Sequence, residues 1–330
     1  MVCRQAERSG SDLASGEELR EPGRRMAKSE ASMQRIGFIG LGLMGHGMAK
    51  NLLKKGHALS FLVHRNRSNL GDLLDLKAEE ASSPKELIAS SDVVILCVTG
   101  TPQVEANVYG ANGLLEGCRK GQIVVDTSTA EPASTDRIRA DFASKGVRFV
   151  DAPLARTPQH AEDGKLNCMV GADPQTLAEV KPVLEKFCEN IFHVGGPGSG
   201  HKVKLVYNFV AMAHAAICCE SLAACARVGI SLESFFQLVS AGGANSNMFQ
   251  MLVPRALKGD LTGLMFTLGN AKKDIDYYQR MVAGASLAGP MGAALHQALV
   301  QANALGLGEK FVPSLIEAYE RVNGLTVVKR

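Results

Sequence analysis

The chain has no tryptophan and only five tyrosines, and aromatic residues make up 5% of its 330 positions. Platforms on which nucleic-acid bases stack are built from such side chains, so their scarcity argues against that class of partner. An excess of one charge is also missing: 36 Lys+Arg stand against 33 Asp+Glu, leaving +3 spread without long runs. The concentrated basic stripe of a nucleic-acid binder is absent. The eight cysteines include no C-x-x-C and no Cys/His cluster at zinc spacing, so no metal centre is expected. Most of them lie in apolar stretches, as Cys97 does in VVILCV, which predicts buried free thiols and a reducing, cytoplasmic setting. Long hydrophobic runs are lacking as well. The most apolar segment, Leu205–Cys219, holds fifteen residues interrupted by Asn208 and His214. That is short of the roughly 20 residues that cross a bilayer, so it reads as a buried helix and no membrane partner is expected.

What is present points to a globular chain larger than one hydrophobic core, with 46% apolar and 21% charged residues. Residues 1–33 read as a disordered extension. Six basic and six acidic side chains are mixed through the first 32 positions. They contain neither the apolar core of a secretory signal nor the amphipathic stripe of a transit peptide. Met26 and Met33 both serve as alternative starts.

From Arg35 onward, short apolar runs alternate with helical segments. RIGFIG, ALSFLV, DVVILCV, QIVVD, VRFVD, LNCMVG and NIFHVG read as strands, and Pro84–Ser90, Ser134–Lys145 and Pro174–Phe187 as helices. Such alternation predicts βα units in a mostly parallel sheet covered on both faces. After Gly200 the pattern changes. His201–Val228 contains neither Gly nor Pro, which allows one helix of 28 residues, and the remainder is helical by pattern. The expected architecture is α/β: a Rossmann-type, mostly parallel sheet domain over 34–196, followed by an all-α C-terminal domain over 197–330.

The strongest local signal is Gly40-Leu41-Gly42-Leu43-Met44-Gly45, directly after a strand and opening a helix. The first glycine permits a tight turn, the second admits a pyrophosphate against the backbone, and the third lets helix and strand approach closely. The unpaired amides of the helix start, around Leu43 and Met44, face the anion. A dinucleotide is therefore expected. In an NAD site the second strand ends in a carboxylate that takes the ribose hydroxyls. Here ALSFLV runs into His64-Arg65-Asn66-Arg67-Ser68, with no acid before Asp72. Arg65, with Arg67 and Ser68, suits a 2′-phosphate, so NADP is favoured over NAD, with NAD as the alternative. The glycine-rich 195–200 loop is no Walker motif, because His201 separates Gly200 from Lys202 and Val203 stands where Ser or Thr is required.

Lys204 and Asn208 lie one turn apart on one face of the long helix, among Leu205, Val206, Phe209 and Val210. A lysine aimed into a cleft beside apolar walls has its pKa lowered toward values useful for proton transfer. Asn208 is placed to hold that lysine or a substrate oxygen.

Taken in order, GLGLMG, DTST at 126–129, DAP at 151–153, GSGHKVKLVYN at 198–208 and KKD at 272–274 resemble the β-hydroxyacid dehydrogenases. That family includes 3-hydroxyisobutyrate dehydrogenase, tartronate semialdehyde (2-hydroxy-3-oxopropionate) reductase and succinate semialdehyde reductases. The resemblance implies that Lys204 is the general acid/base and Asn208 the substrate-site asparagine. It further implies that Thr129 stands beside the nicotinamide, that Val98 makes a backbone contact to the cofactor, and that Lys273 closes over it. Most members carry D-A-P-V-S-G-G, whereas this chain reads Asp151-Ala-Pro-Leu-Ala155-Arg156-Thr157. The Arg156–Thr157 pair resembles the sulfolactaldehyde reductase branch and implies an anion-binding role. The K-L-I-N-N of that branch is here Lys204-Leu-Val-Tyr207-Asn208, which places Tyr207 at the substrate and departs from a sulfonate site. The expected reaction is NAD(P)-linked interconversion of a small anionic aldehyde and its hydroxy acid. The alternatives are a sulfolactaldehyde reductase, an imine reductase-like enzyme, or a non-catalytic cofactor-binding relative. The nearly continuous apolar surface of the long helix predicts a homodimer or homotetramer formed through the C-terminal helices.

Overall fold

The computed structural model describes residues 34–64, 67 and 70–329; the extension over 1–33 lies outside the described residues. Strands and helices alternate from the start. The order is β1 (Ile36–Ile39), α1 (Gly45–Lys54), β2 (Leu59–Leu62), α2 (Gly71–Asp75), β3 (Glu79–Glu80), α3 (Pro84–Ser90) and β4 (Val93–Leu96). Then come α4 (Thr101–Tyr109), α5 (Leu114–Gly117), β5 (Ile123–Asp126), α6 (Pro132–Ser144), β6 (Arg148–Asp151), β7 (Leu154–Ala155) and α7 (Pro158–Glu162). The sheet part closes with β8 (Leu166–Gly171), α8 (Pro174–Leu184) and β9 (Cys188–Gly195).

The nine strands form one sheet in the order β3-β2-β1-β4-β5-β6-β8-β7, with β9 paired to β8. β1 to β6 pair in parallel, and β1, β4 and β5 are buried at every position, which is why they read as unbroken apolar runs. Two apolar clusters cover the two faces, one around Phe38, Leu52 and Phe187, the other around Leu87, Val124 and Phe142. The sheet is not parallel throughout. β8 runs antiparallel to β6 and β7, with the two-residue β7 and the five-residue α7 lying between β6 and β8 in the chain.

The rest is helical. α9 (Ser199–Val228) is followed by α10 (Leu232–Ala241), α11 (Asn247–Ala256), α12 (Leu268–Gly284) and α13 (Pro290–Ala304), then by a 3₁₀ turn (Val312–Ser314) and α14 (Leu315–Asn323). α9 begins two residues earlier than the sequence pattern suggests, after Gly198 at φ +90°. Its 30 residues are long and apolar enough to cross a membrane by length and composition, which the fifteen-residue run does not convey. In the fold, Met212, Cys219 and Leu222 instead join the core of the helical part, with Leu252, Ile275 and Ile316. α10, although apolar in sequence, fully buries none of its residues, and Leu238 is 73% exposed.

Two close approaches fix the helix that opens the sheet part. α1 lies against α7 at Gly47, where an added Cβ would stand 2.5 Å from the Glu162 amide nitrogen. The Asn51 side-chain amide donates to the carbonyls of Gly47, Ala161 and Glu162. Gly47→Ala is expected to destabilise the protein by about 1–3 kcal/mol through overpacking. Chemical denaturation measures it, and an unchanged midpoint would mean that α7 does not seat on α1.

Candidate active site

The glycine loop between β1 and α1 has the shape a pyrophosphate requires. Gly40 sits at φ +105°, and a Cβ there would stand 2.2 Å from the Cys97 carbonyl oxygen. A Cβ at Gly45 would lie 1.9 Å from the Gly40 carbonyl oxygen, so these two glycines serve the turn and the close packing. At Gly42 an added Cβ would meet nothing within 4 Å, which leaves the middle of the loop open for an approaching group. Leu43 is 79% exposed beside it, and Met44 precedes a helix start that has neither a side-chain cap nor an acid in its first turn. An uncapped helix start over an open loop fits a phosphate group. The second-strand loop is described only in part. Arg65 and Ser68 lie outside the described residues. Without a ligand, the Arg67 guanidinium makes two bonds to the Glu80 carboxylate on β3, of 2.9 and 2.6 Å. Such a bidentate pair already uses the fork that a 2′-phosphate would need.

At the C-terminal ends of β4 and β5, short polar contacts lock the loops. Asp126 Oδ1 accepts from the Ser128 amide at 2.9 Å, and Ser128 Oγ accepts from the Val98 amide at 3.0 Å. With its N–H so engaged, Val98 offers its carbonyl to any further backbone contact. Thr127 Oγ1 donates to the Leu96 carbonyl at 2.6 Å. Thr129, half-buried, follows in the same turn.

The start of α9 is set by a buried carboxylate. Asp151 is fully buried at the end of β6, and it accepts from the amides of Gly198 (2.7 Å) and His201 (2.9 Å). Burial pushes its pKa up, against the opposing pull of His201 and these amides. One turn further along the helix, Lys204 is 8% exposed and Asn208 is 5% exposed. Burial pulls the Lys204 amine down to about 8; nearby Lys273 adds to this, and Asp274 opposes it. Its Nζ lies 5.3 Å from the centroid of the Tyr207 ring, while Tyr207 itself is about half exposed.

α12 brings the opposing groups. Asn208 Nδ2 donates to Asp274 Oδ2 at 2.6 Å, and Lys273 Nζ donates to Asp274 Oδ1 at 2.7 Å. Lys273 also reaches the Thr129 carbonyl at 3.5 Å and sits 5.1 Å from the Tyr277 ring centroid. The Tyr277 hydroxyl accepts from the Thr101 amide at 3.3 Å. Lys204, Tyr207, Asn208, Lys273 and Thr129 are thus drawn into one polar cluster in a chain of contacts between α9, α12 and the turn after β5. Asp274 at its centre is 1% exposed. Sequence reading named KKD but passed over Asp274 as a site residue, along with Tyr277 and Ser128. The signal available was an acid next to a lysine on an otherwise apolar helix face.

Arg156 and Thr157 are not joined to this cluster by any hydrogen bond among the described residues. Arg156 has φ +85°, the left-handed conformation that glycine adopts freely. Its Nη1 is engaged with Glu189 on β9 and with the Lys165 carbonyl, and this pairing lowers the Glu189 pKa. Thr157 Oγ1 lies 2.7 Å from His160 Nδ1.

A doubly faced sheet with an open glycine loop, followed by helices that present a buried lysine, defines an NAD(P)-dependent oxidoreductase. Residues 35–195 match the NAD-binding domain of 6-phosphogluconate dehydrogenase, and residues 198–319 match the NAD-binding family of NADP-dependent 3-hydroxyisobutyrate dehydrogenase. The chain is 29% identical to 2-(hydroxymethyl)glutarate dehydrogenase of Eubacterium barkeri, over 89% of its own length and 97% of that protein. It is 30% identical to 3-sulfolactaldehyde reductase of Escherichia coli K12, over 89% and 98% of the two chains. In fold it is similar to 3-hydroxyisobutyrate dehydrogenase of Mycobacterium tuberculosis, solved with L-serine, with a TM-score of 0.77 at 24% identity over 86% and 98%. The chain belongs to the β-hydroxyacid dehydrogenase family.

The buried amine has a thermodynamic signature. In the unfolded chain a lysine stays protonated to a pH of about 10.4, whereas Lys204 in the folded protein releases its proton near pH 8. Between these values the unfolded state binds more protons, so stability rises with pH, by an amount on the order of 3 kcal/mol. Lys204→Met is expected to remove that rise. Denaturation midpoints of both proteins across pH 7.5–10.5 test it, and parallel curves would mean that the amine is not held near 8.

Proposed function

We propose that this chain is an NADP-linked reductase that interconverts a small aldehyde carrying an anionic group with its primary alcohol, 2-hydroxy-3-oxopropionate and succinate semialdehyde being the substrates that fit first. The observation that carries this reading is Lys204, a buried amine with its pKa pulled down to about 8, one helical turn from Asn208 and close to Asp274 and Lys273 of α12. When bound, the nicotinamide supplies the hydride to the substrate carbon or accepts it. Lys204 Nζ then donates its proton to the aldehyde oxygen as negative charge grows there, and takes it back in the oxidative direction. General acid catalysis of this kind contributes about 10²–10⁴-fold.

Asn208 orients that exchange. Its Nδ2 is committed to the Asp274 carboxylate, an obligate acceptor, so its Oδ1 is left as an acceptor for the substrate hydroxyl or the lysine. Lys273 ties α12 to the Thr129 carbonyl, which holds the helical side against the turn after β5. The ring of Tyr207 forms a wall beside the Lys204 amine. Arg156 and Thr157 bind the substrate anion, with the guanidinium exchanging Glu189 for the ligand. The two relatives are named for substrates that join a hydroxymethyl or aldehyde carbon to a carboxylate or sulfonate, which supports an anionic substrate here. Sulfolactaldehyde is the second reading, favoured by the Arg156–Thr157 pair.

The test is NADPH and NADH oxidation with 2-hydroxy-3-oxopropionate, succinate semialdehyde, glyoxylate and 3-sulfolactaldehyde. NADPH preference that is lost in Arg65→Ala, together with turnover of one of these aldehydes, is the expected result. Lys204→Ala should lower turnover by at least 10²-fold and leave NADPH binding intact. In the wild type, the rate of aldehyde reduction should fall as pH rises through about 8, while alcohol oxidation rises. Undiminished turnover in Lys204→Ala would remove the lysine from the mechanism.

The helical part associates with a second copy. α10 fully buries no residue, and Val210 and Ile217 of α9 are 48% and 55% exposed. These exposed apolar side chains on neighbouring helices support association through α9 and α10. Sedimentation velocity should show a dimer or tetramer that Leu238→Glu together with Ile217→Glu dissociates; a monomeric wild type would refute it.

A further inference from the structure

Two buried side-chain atoms, on groups whose other atoms are already engaged, are left over from the contacts described above. His201 is fully buried on the first turn of α9, and its Nε2 has no hydrogen-bond partner among the described residues. Asp126 is fully buried at the end of β5, and its Oδ2 has none either. The two orphaned atoms face each other at 3.8 Å. A buried polar atom left unpaired is costly, so two such atoms facing across one gap require an account.

The surrounding groups decide where the proton lies. His201 Nδ1 sits 2.7 Å from Thr135 Oγ1 on α6, and that hydroxyl also contacts the Glu131 carbonyl at 3.2 Å. If the hydroxyl donates to the carbonyl, Nδ1 must carry a proton. An unprotonated Nε2 would then set a lone pair against a carboxylate oxygen, which is repulsive. If the hydroxyl donates to Nδ1 instead, the neutral ring carries its proton on Nε2. The second arrangement, with the Nε2 proton directed at Asp126, is the one free of that repulsion. Asp151 of β6 also acts on this ring, and its Oδ2 holds the His201 amide.

We infer that His201 and Asp126 form a positioning pair that sets Lys204 against the nicotinamide-side turn. The connectivity gives the reason. Asp126 fixes the Asp126–Thr129 turn through Ser128, and Ser128 fixes Val98. His201 and Lys204 are three residues apart on α9, hence one turn apart on neighbouring positions of the same face. The pair therefore links the turn that carries Thr129 to the helix that carries Lys204 and Asn208. It adds a side-chain approach of 3.8 Å across the gap to the backbone cap by Asp151. It closes fully when the two elements draw together, since 3.8 Å is about 1 Å longer than a charge-assisted bond. Misplacement of a reacting group by 1 Å is enough to cost about 10²-fold in rate.

This inference rests on Lys204 as the proton donor, and the experiment separates the two. His201→Asn keeps a polar atom at the place of Nδ1, toward Thr135, and loses the donor toward Asp126. His201→Gln reaches the place of Nε2 and retains it. With NADPH and whichever of the four aldehydes is turned over, His201→Asn should lower kcat by about 10²-fold, leave KM for the aldehyde within about threefold, and be largely rescued in His201→Gln. Asp126→Asn, which preserves the acceptor for Ser128, should lower kcat similarly, and the double variant should lose no more than either single one. A readout independent of turnover is the labelling of Lys204 by acetic anhydride, followed by peptide mass spectrometry. Loosening the helix start admits water to the amine, so His201→Asn should move the labelling midpoint upward from about 8, and His201→Gln should not.

Folded variants with unchanged kcat and an unchanged labelling midpoint would overturn the pairing. So would equal losses in His201→Asn and His201→Gln accompanied only by a lower melting temperature, the mark of a merely structural histidine. If His201→Asn fails to fold, Asp126→Asn decides the matter by the same two readouts. Turnover retained in Lys204→Ala defeats the proposed mechanism itself, whatever the histidine variants do.

Discussion

The carboxylate of Asp151 is the point on which the molecule turns from sheet to helix. It sits at the end of β6 with no exposure to solvent, and it receives the amides of Gly198 and His201 where α9 begins. Two of the four unpaired donors that every helix start presents are satisfied there, inside the protein, by a group of complementary charge. The approach leaves no room for a side chain at Gly200, where a Cβ would stand 2.4 Å from the Asp151 carbonyl oxygen. Because α9 starts at this one place, the rotation of Lys204 and Asn208 about the helix axis follows from it, and so does their meeting with α12.

Much of this was legible in the sequence, for identifiable reasons. β1, β4 and β5 are unbroken apolar runs because both of their faces are covered, and the glycine loop reads correctly because its constraints are local. Lys204 and Asn208 were legible because helix periodicity places residues four apart together. What escaped was non-local. Asp274 meets Asn208 across 66 residues, and no spacing rule reveals that a lysine-flanked acid on α12 will face the first turns of α9. His201 entered sequence reasoning only as the residue that spoils a Walker motif, since its buried partner lies on another strand. The short β7 and α7 were missed because two and five residues carry no periodicity, and with them the reversal of β8 was missed.

Arg156 shows how a residue type and a conformation can come from different sources. The family pattern places glycine there, and the backbone keeps the left-handed φ of +85° that suits glycine while the side chain is an arginine. Holding an L-residue in that region costs roughly 1–2 kcal/mol. The ion pair with Glu189 and the bond to the Lys165 carbonyl offset part of this cost and fix the side chain's direction. Neither the strain nor the ion pair is visible in the residue's identity, which announces only a positive charge.

α9 is both the first wall of the polar cluster and the central stave of the helical core, from Lys204 through Met212 and Cys219 to Leu222. At 1.5 Å per residue its 30 residues run about 45 Å without a proline or an internal glycine beyond the first turn. A rod of this kind transmits displacement instead of absorbing it. A repacked side chain near Leu222 would tilt the whole shaft, and the amine at its other end would move with it. The polar cluster therefore has no hinge of its own in α9 and cannot soften ahead of the core, so heat should extinguish catalysis and cooperative structure together.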